Sequence, residues 1–198
     1  MCIERSRPQF DKKKYIEAPQ EPDVVIYYRE IGRKEPDIIR VYEYEEAYVV
    51  CPTGETKVLA EPGFYRIYSR PARVTWVRLS KLTLTVGVPS TNLPFRYGVH
   101  ADIVLFPKNV QMIVIGVAKV AREGVITIDL IKEELRRILR DAVLNVKLDP
   151  NKPRKEIISR IHDEINTLLK RSWLSMFVCD VQGIGFSHEC ELAKFLEG

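Results

Sequence analysis

The sequence predicts an α/β domain of the α+β kind. Its front half is β-rich with mixed or antiparallel sheet, two amphipathic helices follow, and one strand closes the fold. Three observations carry this. From Asp23 to Phe106, β-branched and aromatic residues come in short runs separated by Pro, Gly and charged turns. Near Asp129 the apolar period changes from two to 3.6. At Phe177 to Val181 alternation returns. A length of 198 residues suits one domain with short appendages.

The elements follow in order. Residues 1–22 are polar, carry three prolines and include Lys12, Lys13 and Lys14, and are read as a flexible arm. Asp23 to Arg29 is a strand, and Gly32 to Asp37 is a charged turn. Ile38 to Tyr44 and Ala47 to Cys51 are strands, and Pro52-Thr53-Gly54-Glu55 turns the second back into Thr56 to Leu59. Pro62-Gly63 breaks the chain ahead of Phe64 to Tyr68. Arg73 to Leu79 and Lys81 to Val88 follow, the latter alternating Leu82, Leu84 and Val86 with Thr83 and Thr85. Pro89 to Pro94 is a loop. Val99 to Phe106 turns at Pro107 into a return strand from Val110 to Ala121, with Gly116 marking a bulge.

Asp129 caps a helix from Leu130 to Val146. Its inward face is Ile131, Leu135, Ile138, Leu139, Ala142, Val143 and Val146, and Glu133 is set to pair with Arg137. Pro150 and Pro153 stop it. A second helix runs from Arg154 to Ser172, with Ile157, Ile161, Ile165, Leu168 and Leu169 inward. The closing strand ends at a kink flanked by Gly183 and Gly185, and 187–198 forms a short terminal helix. The domain itself spans 23–186.

Bulk properties exclude several function classes. The net charge of +4 is spread through the chain with no basic arm, so nucleic acid is not an expected partner. Cys2, Cys51, Cys179 and Cys190 show no Cys-x-x-Cys pair and no disulfide framework. With no apolar leader and no spanning run, a cytoplasmic chain with reduced thiols is expected, able to sit peripherally at a membrane. High charge with few amides is also a thermophile trait.

No catalytic, cofactor or metal site is expected. Cys179, His188 and Cys190 lack the fourth ligand that a closed zinc site needs. His162 on the second helix faces solvent. His100 and Asp102 share one side of a strand and could orient a general base, but no nucleophile motif completes the pair. No phosphate-binding glycine loop exists. Arg136, Arg137 and Arg140 with Lys147 give the first helix a basic edge suited to anionic lipid or nucleic acid, although Glu133, Glu134 and Asp141 interleave with it. Tyr42, Tyr44, Tyr48 and Tyr65 exceed what one core should absorb, and are assigned to an interface. Arg40, Glu43 and Glu45 are the charges that would blunt an edge there.

Ala47-Tyr48-Val49-Val50 with Gly54, then Leu59 through Pro62-Gly63-Phe64-Tyr65-Arg66-Ile67, resembles the opening hairpin and Pro-Gly-aromatic turn of the stomatin–prohibitin–flotillin (SPFH, band-seven) family. The Val99 to Val120 hairpin, the two helices with a Pro-containing break and the strand at Phe177 to Val181 extend the likeness over 38–186. The resemblance implies a non-enzymatic scaffold that self-associates and organises a partner protein or membrane-proximal complex. Family members commonly carry a membrane-inserting segment before the domain and a coiled coil after it. These 198 residues show neither, so a small homo-oligomer built by the domain is expected. The alternative is a module binding nucleic acid or anionic lipid through the arginine helix.

Overall fold

The computed structural model describes residues 2–6, 15–89, 93, 98–108, 113, 124–146 and 152–186. Among them, twelve strands form three sheets beside two α-helices, a β-rich α+β fold. The strands are β1 (Ile3–Ser6), β2 (Tyr15–Ile16), β3 (Val24–Ile31), β4 (Ile38–Val41), β5 (Glu45–Val50), β6 (Thr56–Leu59), β7 (Gly63–Ile67), β8 (Ala72–Arg78), β9 (Leu82–Val88), β10 (Val99–Pro107), β11 (Val125–Thr127) and β12 (Phe177–Phe186). The helices are α1 (Ile128–Val146) and α2 (Arg154–Arg171).

The single domain expected over 23–186 divides into two compact units, Met1–Ser80 with Pro107–Ile128, and Lys81–Phe106 with Asp129–Gly198. The reason is pairing: β9 and β10 leave the front-half sheets and join β12 instead.

The first unit holds two sheets, ordered β1-β7-β4-β2 and β11-β3-β8-β5-β6. Ile3, Ile39, Tyr65 and Ile67 from the first sheet and Ala47, Val49, Val74 and Trp76 from the second share one buried cluster, so the sheets pack through it. The β5–β6 hairpin closes as its turn residues require. Gly54 takes φ 82°, and Cys51 N–H donates to the Glu55 carbonyl at 2.9 Å. Pairing is antiparallel except between β2 and β4, so the first sheet is mixed.

The segment read as a flexible arm supplies both edges of that sheet. β1 pairs with β7, matching Ile3 to Ile67, and β2 pairs with β4. Cys2 and Ile3 are buried, and Cys2 is disulfide-bonded to Cys51 with a Cα separation of 6.5 Å. This corrects the expectation of reduced thiols at these positions. Lys12, Lys13 and Lys14 lie outside the described residues. β5 is flanked by β8 and β6, and β4 by β7 and β2, so Arg40 and Glu45 lie on interior strands and blunt no edge. Glu43 lies in the turn between β4 and β5. β11 was not foreseen. It is three residues long and pairs with β3.

The second unit holds the sheet β12-β10-β9 and both helices. In β9, Leu84, Val86 and Val88 are buried while Thr83, Thr85 and Gly87 are exposed, as its alternation requires. β10 pairs with β9 from Val99↔Val88 to Leu105↔Leu82. With β9 on one side and β12 on the other, β10 has no free edge for the hairpin expected with Val110 to Ala121. Ile113 is helical and buried, and the rest of that stretch, with Gly116, lies outside the described residues. All seven expected inward residues of α1 are buried. In α2, Ile161, Ile165 and Leu169 are buried, while Ile157 and Leu168 are half-buried. Asn145 of α1 donates to Glu164 of α2 at 2.9 Å. β12 runs unbroken through Gly183 and Gly185, so no kink falls there. The terminal helix expected over 187–198 lies outside the described residues.

Candidate functional site

The most organised surface of the first unit is a ladder of rings and guanidinium groups. Arg40 on β4 stacks over Tyr42 at 4.1 Å and lies within 6 Å of the Phe64 and Tyr15 rings, at 5.5 and 5.8 Å. Tyr42 and Tyr44 stack at 5.6 Å with planes 9° apart, and Arg78 of β8 lies 5.7 Å over Tyr44. Tyr15 and Phe64 meet edge to face at 5.3 Å.

The ring hydroxyls are satisfied by the residues following β2. Tyr42 donates to Glu17 at 2.6 Å and Tyr44 donates to Gln20. Arg78 donates to the Pro22 carbonyl at 2.9 Å. The ladder thus fastens 15–22 to the sheet, and a further consequence is that its rings are held rigid. Burial, then the bond to Glu17, pushes the Tyr42 hydroxyl well above the ordinary tyrosine range. At the outer end Tyr44 remains 44% exposed, and its carbonyl accepts the backbone N–H of Leu79, a second exposed apolar residue, at 2.9 Å.

This divides the four tyrosines assigned to an interface. Tyr48 and Tyr65 belong to the core, at 7% and 5% exposure. Tyr65 is enclosed because β7 lies inside its sheet, and its hydroxyl donates to the Glu61 carbonyl at 2.7 Å. Tyr42 is half-buried in the ladder, and Tyr44 alone of the four is exposed. Of the tyrosines that suggested an interface, Tyr65 is absorbed by the core that the two sheets share, and Tyr48, alternating with Ala47 and Val49, is buried on the opposite face of β5. Sequence reasoning placed Arg40 here as an edge-blunting charge and missed its stacking on the rings, and it missed Arg78 and Leu79. Arg78 and Leu79 reach this surface only through the pairing of β8 with β5.

The basic edge of α1 is charge-compensated at Arg137 and Arg140. Arg137 makes two bonds to Glu134, at 2.8 and 2.7 Å, and one to Asp141 at 3.1 Å. Arg140 lies 3.4 Å from the same Asp141. Arg137 thus pairs with Glu134 and Asp141, not with Glu133 as expected. Arg136 is exposed, and Lys147 lies outside the described residues.

His100 and Asp102 do share one side of β10. Their neighbours on β12 are glycines: a Cβ on Gly185 would come within 2.4 Å of the His100 ring, and one on Gly183 within 3.6 Å of Asp102. The Thr85 hydroxyl donates to Asp102 at 2.6 Å. Imidazole-assisted nucleophilic catalysis would have that hydroxyl donate to His100. His162 is half-buried and lies 3.2 Å from the Asn166 side-chain amide. Cys179 donates to the Leu174 carbonyl at 3.8 Å, while His188 and Cys190 lie outside the described residues. Among the described residues no three metal-ligating side chains cluster, and no helix is long and apolar enough to cross a membrane.

No protein-family model matches this chain, and no curated protein matches it.

Proposed function

We propose that this chain is a non-enzymatic SPFH-type scaffold that self-associates and holds a partner protein. The observation that carries the reading is the Arg40–Tyr42–Tyr44–Arg78 ladder with Leu79 at its exposed end. Tyr and Arg dominate the binding energy of protein interfaces, and rings already fixed by bonds to Glu17 and Gln20 lose little entropy on contact. A scaffold needs a surface for its client besides any surface for its own copies, and the ladder suits the client.

The proposed location is cytoplasmic, peripheral to a membrane-proximal complex. A buried disulfide in a charge-rich, amide-poor chain fits the intracellular proteins of hyperthermophiles. The test is retention from native lysate. Immobilised wild-type chain should hold a defined protein set that the Tyr44→Ala chain loses. Equal retention by both chains, or none by either, would overturn the client reading.

A further inference from the structure

We infer that the outer edge of β9 is a self-recognition strand, pairing antiparallel with β9 of a second copy about a two-fold axis. The inference rests on the scaffold reading, whose self-contact it locates.

Strand edges invite pairing unless they are blunted. The described sheets end on six strands. β1 carries Glu4 and Arg5, β6 carries Lys57 and β12 carries Asp180. β2 has two residues, and β11 has three with a register shift. β9 is the exception. Its seven residues, Leu-Thr-Leu-Thr-Val-Gly-Val, contain no charge and no proline, and no described strand pairs with its outer side.

The occupant follows from the strand's own symmetry. Read about Thr85, Leu84 faces Val86, Thr83 faces Gly87 and Leu82 faces Val88. An antiparallel partner in that register pairs all seven residues and keeps every apolar side chain on the core side. A shift of one residue would turn one copy's core face outward. The buried row Leu84, Val86 and Val88 then continues from one copy into the next, and the exposed Thr85 side chains meet as a cross-strand pair.

Charge favours the same arrangement. Lys81 immediately precedes β9, and antiparallel pairing places the two copies' Lys81 at opposite ends of the seam, whereas parallel pairing would set them side by side. A two-fold contact also closes on itself and builds no open fibre. The three-stranded sheet, small for a sheet that stands alone, doubles in width.

The register makes the test specific. Directly opposed Cβ atoms in such a pair lie about 4.5–5.5 Å apart, close enough for a disulfide after small adjustment. Full-length Thr85→Cys should form a covalent dimer under mild oxidation, and Thr83→Cys, which faces Gly87, should not; the wild-type chain controls for its own cysteines. Independently, Thr85→Glu brings four carboxylates, two new and two from Asp102, to the seam. It should lower the mass to one subunit in light scattering while circular dichroism stays unchanged. Equal trapping of both cysteine variants, or a dimer neither trapped by Thr85→Cys nor split by Thr85→Glu, would overturn the β9 contact while leaving self-association standing. A wild-type mass of one subunit at every concentration would overturn both.

Discussion

At the level of single residues, Glu45 is a carboxylate almost fully enclosed on β5. Burial raises its proton affinity, and the Tyr42 N–H, donated at 2.9 Å, opposes this only in part. A carboxyl that holds its proton more tightly in the folded chain adds stability below its unfolded-state pKa. That contribution is lost as pH rises through the folded-state value. Glu45→Gln keeps an oxygen for Tyr42 and cannot ionise. The variant should therefore gain on wild type in urea midpoint as pH rises from the acid range to neutrality, and a difference constant with pH would contradict the assignment. Gly124 is a second sensitive position. It takes φ 76°, and an added Cβ would stand 2.4 Å from the Tyr28 carbonyl oxygen. Gly124→Ala should cost about 1–3 kcal/mol through backbone strain and the displaced β3–β11 pairing. An unchanged unfolding midpoint would show that β11 is not held there.

Among the elements, α1 is the one whose packing rests most plainly on periodicity. Leu135→Ala should cost roughly 2–5 kcal/mol, because the residue is fully buried, while Leu144→Ala on the exposed side should change the midpoint little. Equal effects would mean the face is wrongly assigned. That face was legible because a two-faced helix writes its orientation into a single local pattern. The seven alternating residues of β9 were legible for the same reason. β1 and β2 were not, since they are too short to show a period and become strands only by pairing with partners as distant as Ile67. The length of β12 was hidden by Gly183 and Gly185, which look like breaks. Gly185 is small because the His100 ring lies over it, whereas a Cβ at Gly183 would meet Asp102 only at ordinary contact distance. The ladder was half legible: its tyrosines stood out, but the register that brings Arg78 and Leu79 to Tyr44 exists only in the sheet.

For the whole molecule, the Cys2–Cys51 bond ties the first strand to the end of β5 across 49 residues. Reduction should lower stability by roughly 2–4 kcal/mol, seen as a fall in the thermal midpoint on adding reductant. An identical midpoint with and without reductant would show that the bond does not constrain the chain. Elemental analysis of purified protein should find no stoichiometric zinc or iron, and one bound metal lost on Cys190→Ser would contradict that expectation. The proposed self-association is read most plainly in the mass of the chain in solution. Light scattering over a concentration series should show a mass rising above 22.9 kDa toward a whole-number multiple of it. A mass fixed at 22.9 kDa into the high micromolar range would contradict self-association.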